Sequence, residues 1–405
     1  MSTNNDTSRS IFLFAGEPSG DILGSELLKK LLKDNEHLII EGVGGPKMRT
    51  NGMESIVPME KFLVMGFSAI IKAFPRLRKL FYYLVDTIIA KHYDAVVLID
   101  YPGFNLRLAK ALKKKGYEGK IVHYVAPSVW AWKKGRIQHM EKTLDLLITT
   151  FPFEAKHFAD TSLTVRYAGH PLLEKIAKHR YYENWKDHCS IPDGDDIVAI
   201  FPGSRNSEIT NNLDIILGAA EIFHKKHPSA VFAVSAANDA IATRIKEHIS
   251  RYSLFSGRKL FIVPHTYTYE LMKESRYAMA TSGTVTLELA AHETPTVVIY
   301  NVTFFNWFLA KHIFKIKLPH YCIVNIICDK EVFPEVIGKD LSATDIAEKL
   351  LVFADDEGHK KRCIKGCNDM KDLMRYDDAS AQAANEIEAV LYPSLRPILC
   401  HRVFA

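Results

Sequence analysis

Ala280-Thr281-Ser282-Gly283-Thr284-Val285-Thr286-Leu287-Glu288, continuing through Leu289-Ala290-Ala291-His292-Glu293-Thr294-Pro295 to Thr296-Val297-Val298-Ile299-Tyr300, reads as a loop that opens a helix and returns into a β-branched strand. Gly283 lets the backbone come close to a ligand. Ser282 and Thr284 bring hydroxyls to a helix start whose N–H groups attract anions. A phosphate fits there, and Glu288, about one turn inside the helix, can accept hydrogen bonds from the sugar hydroxyls of a nucleotide. Taken alone, the stretch would more often be an ordinary capped βα turn with a solvated Glu. Its neighbours change that weighting.

Upstream, residues 197–201 form a strand, Pro202-Gly203-Ser204-Arg205 its turn, and a helix runs from Glu208 onward. Strands at 231–235 and 260–263 follow, with helices between. Arg205 on a Gly-Ser turn can fork onto a diphosphate, where the plainer use is a surface ion pair. Gly203, Ser204 and Arg205 on one side, and Ser282, Gly283, Thr284, Glu288 and Tyr300 on the other, all fall at strand carboxyl ends. They can therefore converge on one ligand.

The first half has the same grammar. Strand 11–15 runs into Gly16-Glu17-Pro18-Ser19-Gly20-Asp21 and a helix to about Lys33; strand 38–43 runs into Gly44-Gly45-Pro46. The glycines lack the G-x-G-x-x-G spacing of a dinucleotide fingerprint, so the second turn is read as a turn only. Strand 94–99 delivers Asp100-Tyr101-Pro102-Gly103-Phe104-Asn105 at its carboxyl end, where a carboxylate is placed for chemistry. Strand 121–125 ends in a loop carrying Trp130 and Trp132, candidates for a pocket wall, although core filling is the commoner use of Trp. His170 reads as a structural histidine beside a turn. Two successive βα arrays predict an α/β protein of two doubly wound domains facing one another.

At 405 residues, with 47% apolar and 24% charged side chains, the chain is long enough for two cores and is globular in composition. The net charge is +5, but residues 61–120 hold twelve Lys or Arg against four Asp or Glu. That block suits an anionic membrane surface, a phosphorylated substrate or nucleic acid. Within it Phe62, Phe67, Phe74, Phe81, Tyr82 and Tyr83 interleave with Lys72, Arg76, Arg78 and Lys79, as in helices at a lipid interface; a buried core helix is the alternative. Gly66 and Pro75 predict more than one short helix there. A second aromatic and basic patch spans residues 304–317. The six cysteines show neither zinc spacing nor a disulfide framework, and a reducing cytoplasm is the simplest home. No stretch has the length and polarity of a signal peptide or membrane span.

With these residues in place, the sequence resembles the lipid-A-disaccharide synthase family, inverting glycosyltransferases with two Rossmann-like domains around a central cleft, the GT-B fold. The ordered matches are the 15–21 turn, residues 42–48, Val64-Met65-Gly66, residues 100–105, residues 123–132, residues 201–205, Ser282-Gly283-Thr284 and Asn325. The family commonly has Asp at Gly103, a basic residue at Asn301 and Gln at Gly338, and His320-Tyr321-Cys322 separates Leu318-Pro319 from Asn325.

The resemblance implies an acceptor-side domain over residues 1–172 and a UDP-sugar domain over 173–365. A helical tail, 366–405, would pack back on the first domain or onto a partner chain. It implies transfer from UDP-2,3-diacylglucosamine to the 6-hydroxyl of 2,3-diacylglucosamine 1-phosphate, with β-1,6 linkage and release of UDP. Asp100 would be the base, with Glu17 a second catalytic carboxylate. Ser19, Gly20, Asp21, Met65, Asn105, Trp130 and Trp132 would contact substrate. Arg205, the 282–284 helix start and Asn325 would hold UDP, with no metal or other cofactor. The expected partners are both lipids and the anionic inner-membrane surface, on whose cytoplasmic face the protein would be peripheral. A homodimer through the C-terminal helices is an open expectation; nucleic acid is not expected. The alternatives are another UDP-sugar enzyme of this fold, an epimerase or a peptidoglycan-type transferase, and a non-catalytic nucleotide-sugar or lipid-binding protein.

Overall fold

The computed structural model describes residues 9–33, 35, 37–63, 67–131, 135–192, 194, 196–301, 318–338, 340–374 and 378–392. Met65, Trp132 and the patch at 304–317 lie outside these residues. The chain divides into two compact units, residues 1–171 with 376–405, and residues 172–375.

In the first unit, seven strands are described: β1 (Ser10–Ala15), β2 (Ile39–Gly44), β3 (Glu54–Pro58), β4 (Ala95–Ile99), β5 (Lys120–Tyr124), β6 (Leu146–Thr149) and β7 (Thr164–Tyr167). They lie in the order β3-β2-β1-β4-β5-β6-β7, each neighbouring pair parallel. The central strands are apolar on both faces because helices cover both. On one face Phe12, Phe14, Val96, Leu98 and Leu147 pack with Leu84, Val85, Ile88, Leu108 and Leu112. On the other, Ile11, Leu13, Val97, Ile99 and Val122 meet Leu27, Leu28 and Leu31 of the helix Pro18–Lys33.

That second face is completed from the far end of the sequence. Helix Ala379–Leu391 starts on an Asp378 cap, whose carboxylate accepts from Ala381 N at 2.9 Å. It places Ala383, Ala384, Ile387 and Leu391 in the same cluster as β1. Lys30 pairs with Asp378, and Asn35 donates to Glu388 at 2.6 Å. The sequence boundary at 366 falls inside helix Glu357–Leu373, which is unbroken within the second unit.

The segment expected to break into short helices is instead one helix, Phe67–Lys91, with Pro75 inside it. Proline removes one backbone hydrogen bond and strains one turn. Downstream of it Leu84, Val85 and Ile88 are anchored in the core, and burying three large side chains, about 1.5–3 kcal/mol each, outweighs one interior proline.

In the second unit, β8 (Ile197–Phe201), β9 (Val231–Ala236), β10 (Leu260–Pro264), β11 (Tyr277–Thr281), β12 (Thr296–Asn301) and β13 (Glu335–Gly338) form a parallel sheet in the order β10-β9-β8-β11-β12-β13. Both sheets therefore reverse their strand order next to the unit's first strand, between β1 and β4 and between β8 and β11. In open α/β sheets such reversals are where ligands bind, beyond the strands' carboxyl ends.

Candidate functional site

In the first unit Ala15 pairs with Ile99 at the β1/β4 reversal, so Glu17 and Asp100 leave neighbouring strand ends. Asp100 is half-buried, and burial raises its pKa against the pull of the Tyr101 N–H. Glu17 is open to solvent on one side, yet desolvation first and the Asp100 charge second raise its pKa as well. The Asp100 charge thus makes the neighbouring Glu17 harder to ionise, while burial alone raises Asp100.

The backbone under this pair is strained. Asp100 and Tyr101 have φ of 49° and 47°, and Val125, at the end of the adjacent β5, has φ of 75°. Left-handed conformations in non-glycine residues cost on the order of 1–3 kcal/mol each and persist only where the surroundings enforce them. The enforcing group here is Asn105. Fully buried, it donates from Nδ2 to the carbonyls of Ile99 at 3.2 Å and Asp100 at 2.6 Å. The Asp100 N–H in turn donates to the Tyr124 carbonyl at 2.8 Å. Asn105, expected to touch substrate, holds the turn that presents Asp100.

Asp21 also serves neighbouring backbone. Buried, it accepts from the N–H groups of Gly45 (2.8 Å), Lys47 (3.1 Å) and Met48 (3.0 Å), capping the short helix Pro46–Thr50. A Cβ on Gly45 would lie 2.5 Å from that carboxylate, which is why glycine stands there. Gly20 packs its helix onto β1, where a Cβ would sit 3.3 Å from that of Ala15. Ser19 is exposed at the start of the same helix. Trp130 is half-buried, its ring edge-on to Phe153 at 5.4 Å. His170 lies against Phe151, with burial pushing its pKa down to about 4, as suits a structural histidine.

In the second unit Ala280 pairs with Phe201, so the Gly203-Ser204-Arg205 turn and the Ser282-Gly283-Thr284 loop flank the β8/β11 reversal. Arg205 is the N-cap of helix Asn206–Lys226, with its side chain 80% exposed. Glu208 occupies the turn: Oε2 accepts from the N–H groups of Ser204 at 2.8 Å and Arg205 at 3.1 Å, and Oε1 from the Arg205 guanidinium at 3.0 Å. Two amides and a guanidinium already gathered on a carboxylate form a set of donors suited to an anion. Gly203, at φ 116°, admits this turn.

Across the reversal, Gly283 and Thr284 are exposed and Ser282 half-buried, and a Cβ on Gly283 would meet nothing within 4 Å. Helix Val285–Ala291 carries the half-buried Glu288, which accepts from the Tyr269 hydroxyl at 3.0 Å; burial raises its pKa, opposed by that hydrogen bond and by Lys175. Tyr300 is 42% exposed.

Asn325 is likewise bonded to neighbouring backbone. Fully buried, it donates to the Phe333 carbonyl (2.7 Å) and Glu335 Oε1 (2.8 Å), and accepts from the N–H groups of Val332 (2.8 Å) and Phe333 (2.9 Å). Both side-chain donors and both acceptor positions are thereby used on the segment 332–335 that follows its helix. Sequence reasoning missed Tyr269 and Glu208 because neither sits in a glycine turn or at a strand end.

Residues 11–387 match the model of the family described as lipid-A-disaccharide synthetase. A lipid-A-disaccharide synthase of Chlamydia muridarum is 40% identical over 93% of this chain and 61% of its own length. One of Chromobacterium violaceum is 32% identical over 93% of this chain and 96% of its own. The chain thus spans about three fifths of the length of the chlamydial relatives it matches. Among solved structures, the UDP-GlcNAc 2-epimerase of Neisseria meningitidis bound to UDP-GlcNAc has a TM-score of 0.62 at 10% identity, covering 94% of this chain and 98% of that one. At that identity the likeness concerns the fold.

Proposed function

The chain belongs to the lipid-A-disaccharide synthase family, and from that premise we propose that it is an inverting glycosyltransferase. It joins UDP-2,3-diacylglucosamine to 2,3-diacylglucosamine 1-phosphate, giving the β-1,6-linked disaccharide 1-phosphate and UDP. The observation that carries this reading is the half-buried Asp100, fixed on a strained turn beside Glu17 at the β1/β4 reversal.

Inversion needs a base to take the proton from the acceptor 6-hydroxyl as its oxygen attacks the anomeric carbon, and a positive setting for the departing diphosphate. Asp100 takes that proton. Burial raises its pKa, which makes it a stronger base than an exposed Asp once ionised. On the second unit, Arg205 and the Ser204 and Arg205 amides receive the diphosphate after Glu208 turns aside, and Glu288 takes the ribose hydroxyls. The epimerase of the same fold is named as bound to a UDP sugar, which is consistent with that reading.

Both substrates carry acyl chains, and the protein reaches them as a peripheral protein on the cytoplasmic face of the inner membrane. Support comes from the helix Phe67–Lys91, on which Phe74, Tyr82 and Tyr83 are exposed beside Arg76, Arg78 and Lys79. Among the described residues no helix is long and apolar enough to cross a membrane. Helix Ala379–Leu391 buries its apolar side within its own chain, so its packing lends no support to a dimer formed through it.

The deciding experiment is UDP release by purified protein on detergent-dispersed UDP-diacylglucosamine, with and without diacylglucosamine 1-phosphate. Release that depends on the acceptor and yields a disaccharide is expected. Release without acceptor would replace the transferase with a hydrolase or epimerase, and UDP binding without release would leave a binding protein.

A further inference from the structure

Behind Glu288 lies a cluster of aromatic and ionisable side chains for which the transfer reaction, as described, has no use. Tyr269, on helix Thr268–Glu274, is 7% exposed and directs its hydroxyl at Glu288 Oε1, 3.0 Å away. Its ring is held from several sides. The His179 ring meets it edge-on at 4.9 Å, the His292 ring lies 5.3 Å away, and Lys175 Nζ stands 5.2 Å from its centroid.

These neighbours are themselves fixed. His292 bonds through Nδ1 to the Glu288 carbonyl (2.7 Å) and through Nε2 to the Tyr181 hydroxyl (3.0 Å), while His179 meets the buried Glu270 at 2.9 Å. A ring packed this way cannot swing its hydroxyl off Glu288 without breaking several contacts. Glu288 is therefore locked by one oxygen, and Oε2 has no hydrogen-bond partner among the described residues. A carboxylate fixed in rotation, with one oxygen open, can be aimed; a freely turning one follows whatever hydroxyl arrives.

We propose that Tyr269 is the positioning residue that aims Glu288 at the ribose diol and makes the site prefer a ribonucleotide to its 2′-deoxy counterpart. The proposal rests on the reading of the second unit as the UDP site. A ribose diol offers the open oxygen two donors and a 2′-deoxyribose offers one, so the loss should be felt more by UDP.

The test compares dissociation constants of UDP and 2′-deoxy-UDP by titration calorimetry, for the wild-type chain and for Tyr269→Phe, which keeps the ring and removes the hydroxyl. A hydrogen bond to a charged group corresponds to roughly ten- to a hundredfold in binding, so wild type should prefer UDP by at least about tenfold. In Tyr269→Phe that preference should shrink at least about fivefold, with UDP binding weakened more than 2′-deoxy-UDP binding. Equal losses for both nucleotides would mark Tyr269 as merely structural and overturn the proposal. So would an unchanged preference in the variant, or no preference in wild type. Wild type that binds neither nucleotide would instead sink the UDP-site reading. If Tyr269→Phe does not fold, the exposed Lys175→Met must move the preference in the same direction, and failure to do so overturns the proposal equally.

Discussion

Asp100 and Asn105 show how one residue can depend on another five positions away. Asp100→Asn keeps the shape and removes the base, and should lower turnover at least about a hundredfold. Asn105→Leu removes the two hydrogen bonds that hold the left-handed turn and leaves Asp100 in the sequence. Turnover should fall about tenfold or more as the carboxylate loses its position, with the KM for the UDP sugar unchanged, because the residues proposed to hold UDP lie on the other unit. Steady-state kinetics separates the cases, and normal turnover in Asp100→Asn would remove it from the role of base.

Asp100 stood out because it follows an apolar strand directly, at the carboxyl end where open α/β sheets place ligands. The duties of Asn105, Asp21 and Asn325 did not. All three lie near the start of a helix, beside turns rich in the residues that line sites, and only the accounting of hydrogen bonds shows that their side chains serve nearby backbone.

At the scale of elements, legibility followed side-chain chemistry. Central strands with β-branched runs were placed within a residue or two. Several strands were given no range, for local reasons. β3, β7 and β13 are edge strands of four or five residues with half-buried, partly polar faces. β11 is central and wholly buried, but its Ala278-Met279-Ala280 centre has no β-branched side chain.

The helix Phe67–Lys91 was misjudged because Pro75 breaks an isolated helix, whereas here the core holds the following turns. Its exposed face carries the membrane prediction. The chain should sediment with vesicles containing anionic lipid, less so as salt rises. Replacing Arg76, Arg78 and Lys79 together by Gln should weaken sedimentation several-fold, each cation near the surface contributing about 1 kcal/mol. Binding that ignores both salt and these substitutions would remove the electrostatic contact.

Across the whole molecule, the repeated grammar of strands and turns foretold two doubly wound sheets, and their order put the candidate loops at both reversals. What the grammar could not foretell is a titration that acts on overall stability. Burial pushes the Glu154 carboxyl up to about 8, against the pull of the Phe151 and Thr150 N–H groups that it accepts at 3.1 and 3.2 Å.

Below the unfolded pKa, near 4.5, the group is protonated in both states and costs nothing. Between there and about 8 the unfolded chain releases the proton while the folded chain keeps it, so stability falls as pH rises and levels off above about 8. Glu154→Gln should therefore be less stable than, or equal to, wild type at pH 5, yet gain on it by several kcal/mol by pH 8. Urea unfolding at both pH values isolates this group, since the buried His123 and His170 titrate alike in both proteins. A constant difference would show that Glu154 ionises normally.

The first unit is built from the two ends of the chain, with the second unit between them. During synthesis the strands β1 to β7 leave the ribosome early, but Ala383, Ala384, Ile387 and Leu391, which seal the face carrying Leu27, Leu28 and Leu31, arrive only after the whole second unit has emerged. The half made first is thus finished last. The apolar face of Pro18–Lys33 waits uncovered through the synthesis of some two hundred intervening residues, the interval in which a nascent chain most needs shielding from its neighbours.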